Sequence, residues 1–136
     1  MKKAMCFGSF DLFHEGHKYF LNESAKYGSL YVVVARDSSI EKIKKRKLTF
    51  FEEKRVETIK NNIPSAKVLL GDKTDFYKII REIKPDVICL GYDQVADEKY
   101  LRKNFPNIKI VRVNAYKPEV YKSSLIKKNL NNKVSN

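Results

Sequence analysis

Through most of its length the chain alternates short, nearly continuous apolar runs with longer segments in which apolar residues recur at helical spacing. AMCFG (4–8), LYVVVA (30–35), KVLLG (67–71), DVICLG (86–91) and IKIVRV (108–113) are too short for helices. Runs of this kind predict β-strands covered on both faces, as in a parallel sheet. Between them, EEKRVETIKNNI sets Val56, Ile59 and Ile63 on one helical stripe, and DFYKIIREIKP does the same with Phe76, Ile79, Ile80 and Ile83 before Pro85. Weaker helical patterns cover 97–104 and 124–130. The alternation predicts an α/β fold, a single Rossmann-like domain over 1–136 with a five-stranded parallel sheet and helices on both faces. Residues 131–136 read as a frayed polar tail.

In such a sheet, ligands bind beyond the carboxyl ends of the strands, where strand order reverses. The chemically distinctive residues fall at those ends: GSFD (8–11) after the first strand, Arg36-Asp37 after the second and GYDQ (91–94) after the fourth. Gly8 permits close backbone approach, and the residues after it can aim amides at an anion. His14 and His17 straddle the start of a helix, where free amides and the dipole also favour negative charge. Two imidazoles there can donate hydrogen bonds to phosphate oxygens as charge builds in a transition state.

The HEGH core of this stretch superficially resembles a zinc-protease box, but its histidines are three apart rather than four, and Gly16 interrupts the helix between them. The sequence holds no third histidine, and Cys6 and Cys89 lie far away in apolar runs, so the three ligands of a catalytic zinc are missing.

Composition narrows the picture only in part. A hydrophobic content of 43% suits a globular protein of 136 residues, and two cysteines at unrelated positions offer no disulfide framework. No apolar run is long enough to span a bilayer and no signal-peptide core is evident, which predicts a cytoplasmic protein without a membrane partner. The net charge of +12 calls for an anionic partner or a cationic solvated surface. A nucleic-acid-binding protein would fit the charge and the KIKKRK run, but no nucleic-acid-binding module is recognisable.

Gly8-Ser9-Phe10-Asp11 followed by His14-Glu15-Gly16-His17 resembles the G-[TS]-F-D-x-x-H-x-G-H signature of the cytidylyltransferase-like nucleotidyltransferases at all ten positions. The resemblance implies that Gly8, Ser9, Phe10, Asp11 and Gly16 hold the nucleotide while His14 and His17 stabilise the reacting α-phosphate. It further implies phosphate and acceptor contacts from Lys44, Arg46 and Arg55, and a triphosphate grip from Ser123 and Ser124, hydroxyls that equally suit a helix cap.

Two subfamilies differ in substrate. The glycerol-3-phosphate cytidylyltransferases carry an acid-acid-Trp triplet and an R-T-x-G-x-S-T-T run, which this tryptophan-free chain lacks. VVARDSSIEKIKKRK and LGYDQ are similar instead to archaeal-type FAD synthases, which implies ATP and FMN as substrates and Gly91, Asp93 and Gln94 near the nucleotide. CTP with glycerol-3-phosphate is the alternative pair. Mg²⁺ is expected with the triphosphate, without an assigned protein ligand. Relatives of this kind imply a homodimer.

Overall fold

A computed structural model describes residues 2–38 and 50–115. In chain order the elements are β1 (Lys3–Gly8), α1 (Glu15–Ser24), a 3₁₀ turn (Ala25–Tyr27), β2 (Ser29–Val34), α2 (Glu52–Asn62), β3 (Lys67–Leu70), α3 (Lys78–Ile83), β4 (Val87–Gly91), α4 (Glu98–Asn104) and β5 (Lys109–Val113). All five strands are parallel, in the order β3-β2-β1-β4-β5. Each lies within one residue of the run that predicts it.

The period-2 alternation of a strand divides the core into two layers. On one face Ala4, Cys6, Val32, Val34 and Cys89 pack against Leu21 of α1 and Ile59 of α2. On the other Met5, Phe7, Val33, Ile88 and Leu90 pack against Ile80 of α3 and Leu101 of α4. The helices therefore change faces after β3, the point at which strand order reverses, and the crevice between β1 and β4 is the switch point of the sheet. Cys6 and Cys89 sit opposite each other across this strand pair as buried free thiols. Burial pushes both thiols up from their ordinary pKa, consistent with a packing role.

One helix is shorter than its pattern predicts. The stripe beginning at Phe76 suggests a helix from about 75, but α3 starts at Lys78 and Phe76 precedes it, 55% exposed. Local side-chain bonds account for the difference. The Asp72 carboxylate accepts from the amides of Thr74 and Asp75, which hold its pKa down at about 2, and Asp75 accepts from the Tyr77 amide. These turn bonds compete with helical ones and delay the first turn. At α4, Asp97 acts as N-cap, accepting from the Tyr100 amide at 2.9 Å.

Candidate active site

The loop from Gly8 to His14 leaves β1 beside the switch point. Three successive carbonyls at its root are occupied by protein donors. Phe7 O accepts from Gln94 Nε2 at 3.0 Å, Gly8 O from the Ala35 amide at 2.9 Å and Ser9 O from Arg55 Nη1 at 2.7 Å. A loop meant for an anion must engage its carbonyls elsewhere, since their partial negative charge opposes binding.

Phe10 has φ 51°, a left-handed conformation that costs a bulky residue about 1–3 kcal/mol, and its ring is buried. That ring crosses directly over Gly8, where a Cβ would stand 2.8 Å from Phe10 Cε2. Glycine is thus required by the close approach of Phe10, not by its own backbone angles. Asp11 is also buried, and its Oδ1 accepts from the Phe50 amide at 2.8 Å, fastening the loop to the entry of α2.

The two histidines form the start of α1. His14 is the N-cap, its Nδ1 accepting from the Gly16 amide at 3.0 Å, and His17 Nδ1 accepts in return from the His14 amide at 3.3 Å. This is a capping box built from imidazoles. Because Nδ1 is the acceptor in both rings, their neutral forms carry the proton on Nε2, the tautomer needed to donate to a phosphate. The rings stack with centroids 3.9 Å apart, and Phe10 and Phe13 flank His17 at 5.4 and 5.6 Å. The His17 pKa is lowered to about 3, chiefly by burial and also by the neighbouring His14, with the Leu12 backbone acting in the opposite direction. His14 is also lowered, chiefly by burial, with Glu15 opposing.

Arg55, expected to reach phosphate, instead lies beneath the loop and is 1% exposed. Its Nε donates to Phe50 O, its Nη1 to Ser9 O and its Nη2 to Asp37 Oδ1 at 2.6 Å. Asp37, to which the sequence assigns no role, completes a reciprocal pair with Glu52: each backbone amide donates to the other's carboxylate. One guanidinium therefore joins the ends of β1 and β2 to the start of α2.

Across the crevice, Gly91 and Gln94 form the second lip. The Gln94 side chain accepts from the Gly91 amide and donates to Phe7, using both ends of its amide group to tie β4 to β1. Arg112, which the sequence does not mark out, donates from Nη1 to the carbonyls of Gly91 and Gln94 and from Nη2 to Glu98. The only sequence signal for it is a charge inside an otherwise apolar strand run. Asp93 stands exposed on this lip. Lys44, Arg46, Ser123 and Ser124, with the helical pattern 124–130 and the tail 131–136, lie outside the described residues. Among the described residues, no group of three or more His, Cys, Asp or Glu side chains is placed to hold a metal ion.

The chain as a whole is matched by known proteins. The cytidylyltransferase-like family model matches residues 5–129. An FAD synthase of Methanobrevibacter smithii is 44% identical over 125 residues, 85% of this chain and 81% of that one. An FAD synthase of Thermoplasma acidophilum is 38% identical over 135 residues, 96% of this chain and 94% of that one. The crystal structure of a lipopolysaccharide core biosynthesis protein of Thermoplasma volcanium superposes with a TM-score of 0.79 at 39% identity, over 85% of this chain and 98% of that one. With a five-stranded switch-point sheet, the complete ten-position signature and these matches across most of its length, the chain belongs to the cytidylyltransferase-like family of nucleotidyltransferases.

Proposed function

We propose that the protein is an FMN adenylyltransferase, joining ATP and FMN to give FAD and pyrophosphate. The observation that carries this reading is identity of 38–44% to FAD synthases across 85–96% of the chain. Residue geometry supplies a mechanism. An FMN phosphate oxygen attacks the α-phosphorus of ATP in line, the bond from that phosphorus to the bridging oxygen breaks, and pyrophosphate leaves with the electron pair. The FMN phosphate is already largely ionised at neutral pH, so attack needs no general base. His14 and His17 donate from Nε2 to the α-phosphate, more strongly as charge builds, and the Gly8–Asp11 backbone orients the triphosphate.

Gly91, Asp93 and Gln94 border the nucleotide from the second lip in this reading, and Lys44, Arg46, Ser123 and Ser124 complete the phosphate contacts. Arg55 acts by holding Ser9 and Asp37 in place. Mg²⁺ arrives as part of the ATP substrate, supplying charge neutralisation on its phosphates. Asp11, a carboxylate within the signature, is a loop brace through Phe50. The same proposal takes 1–136 as one domain working as a homodimer in the cytoplasm; no helix among the described residues is long and apolar enough to cross a membrane.

Radiolabelled ATP tests the transfer. Label at the α-phosphate should appear in FAD and label at the γ-phosphate in pyrophosphate. Label from the γ-position in a flavin product would exclude adenylyl transfer.

A further inference from the structure

The histidine loop uses one face of the switch-point crevice. On the opposite face, between the ends of β1 and β4 and the helices α3 and α4, lies an open groove of about 100 Å³ whose lining includes Phe7, Phe76, Tyr77, Leu90, Val95 and Leu101. Phe7, Phe76 and Tyr77 form its aromatic wall, backed by Tyr100. Phe76 packs on Phe7 with centroids 4.9 Å apart and edge-on to Tyr77 at 5.0 Å, and Tyr77 stacks on Tyr100 at 4.3 Å. Phe76 is 55% exposed and Val95 99% exposed, so the groove presents apolar surface to water on both sides.

The Asp72–Asp75 turn bonds that delay α3 are what place Phe76 here, outside the helical stripe that would have buried it. Two of the groove's residues also touch the root of the active-site loop. Phe7 lines the groove while its peptide leads into Gly8, and Gln94, whose amide holds Phe7 O, lines it too.

We infer that Phe76 and the Phe7–Tyr77 wall form the site for the isoalloxazine ring of FMN, with Phe76 its principal stacking partner; this rests on the adenylyltransferase reading above. A groove of about 100 Å³ is too small to engulf a ligand but can take a flat, apolar ring system by its face. Stacking on an aromatic ring is sequence-independent surface chemistry, and a planar heterocycle recovers the area that Phe76 now exposes. Gln94 and Asp97 also line the groove, their side chains already bonded to Gly91, Phe7 and Tyr100. A flavin seated here places its ribityl phosphate on the Phe7 side, toward the Gly8 loop and the α-phosphate of ATP.

Steady-state kinetics of FAD formation in the full-length protein test the inference. Phe76→Ala should raise KM for FMN about tenfold, the scale of one lost stacking contact, with KM for ATP unchanged within twofold. Phe76→Tyr should restore the wild-type value. Riboflavin, which has the ring but no phosphate, should inhibit the wild-type enzyme competitively against FMN and lose that inhibition in Phe76→Ala. If Phe76→Ala makes FAD with an FMN KM within twofold of wild type, or raises KM for ATP instead, the groove is not the flavin site while adenylyl transfer stands. If the wild-type protein makes no FAD from ATP and FMN, the adenylyltransferase reading fails and the flavin assignment fails with it.

Discussion

The imidazoles of His14 and His17 are stacked 3.9 Å apart, and each accepts a backbone amide through Nδ1. The pair does two things at once. It caps α1, replacing the Ser, Thr or Glu usual in a capping box, and it fixes both rings with the proton on Nε2. The capping role and the proposed catalytic role can therefore be separated by substitution.

His17→Ala should reduce kcat for FAD formation at least a hundredfold, the scale on which removal of one transition-state donor is felt. His17→Asn keeps a side-chain acceptor for the His14 amide but lacks Nε2. It should lose as much activity as the alanine variant while retaining more stability in urea. Activity of His17→Asn within a few-fold of wild type would show that His17 is a cap alone.

The depressed His17 pKa makes stability pH-dependent. Folded His17 titrates at about 3 and the unfolded side chain near its ordinary 6.5, so between those values the unfolded state binds more protons. Stability from this site is complete above pH 6.5 and falls as pH drops toward 3, by up to about 1.4 kcal/mol per unit, with His14 acting in the same direction. Urea unfolding at pH 7.5 and pH 5 should show a larger loss in wild type than in His17→Asn. Equal losses would mean that His17 is not the group being protonated.

Removing the Arg55 guanidinium should damage the fold. Arg55→Met removes the donors to Ser9 O and Phe50 O and the partner of Asp37, a side chain that is itself 23% exposed and so still partly hydrated. A loss of about 3 kcal/mol in unfolding free energy is expected, at the lower end for breaking a buried pair. Were Arg55 chiefly a substrate contact, the variant would unfold like wild type and show only a raised KM.

Gly8→Ala places a methyl group 2.8 Å from the Phe10 ring, which is buried and already in a left-handed backbone conformation. Overpacking of this kind costs about 1–3 kcal/mol, and relief requires the loop itself to move. Activity should fall more than stability. An alanine variant with wild-type turnover would show that the loop tolerates displacement.

The elements of this fold were legible because parallel strands must be apolar on both faces: AMCFG and DVICLG predict β1 and β4 to within a residue. The glycine-led loop and histidine pair were legible as a signature. What their side chains do to one another was not, since nothing in HEGH shows that one histidine caps the other. Arg55 is the instructive case. Beside Glu53 and Lys54 it resembles an exposed helical charge, and its burial follows only from α2 docking under the β1 loop. A spacing signal was present, because Arg55, Ile59 and Ile63 are four apart and share the buried face. Phe76 was misplaced in the opposite direction: the helical period includes it, but the turn bonds of Asp72 and Asp75 exclude it.

Product analysis on the purified protein tests the central claim most directly. With Mg²⁺ present, ATP and CTP would each be crossed against FMN and glycerol-3-phosphate, pyrophosphate release followed, and the nucleotide products resolved by chromatography. FAD and pyrophosphate in equal amounts from ATP plus FMN, with the other combinations at background, is the expected result. Release confined to CTP plus glycerol-3-phosphate would leave the fold and the histidine chemistry in place and contradict the assignment of substrates.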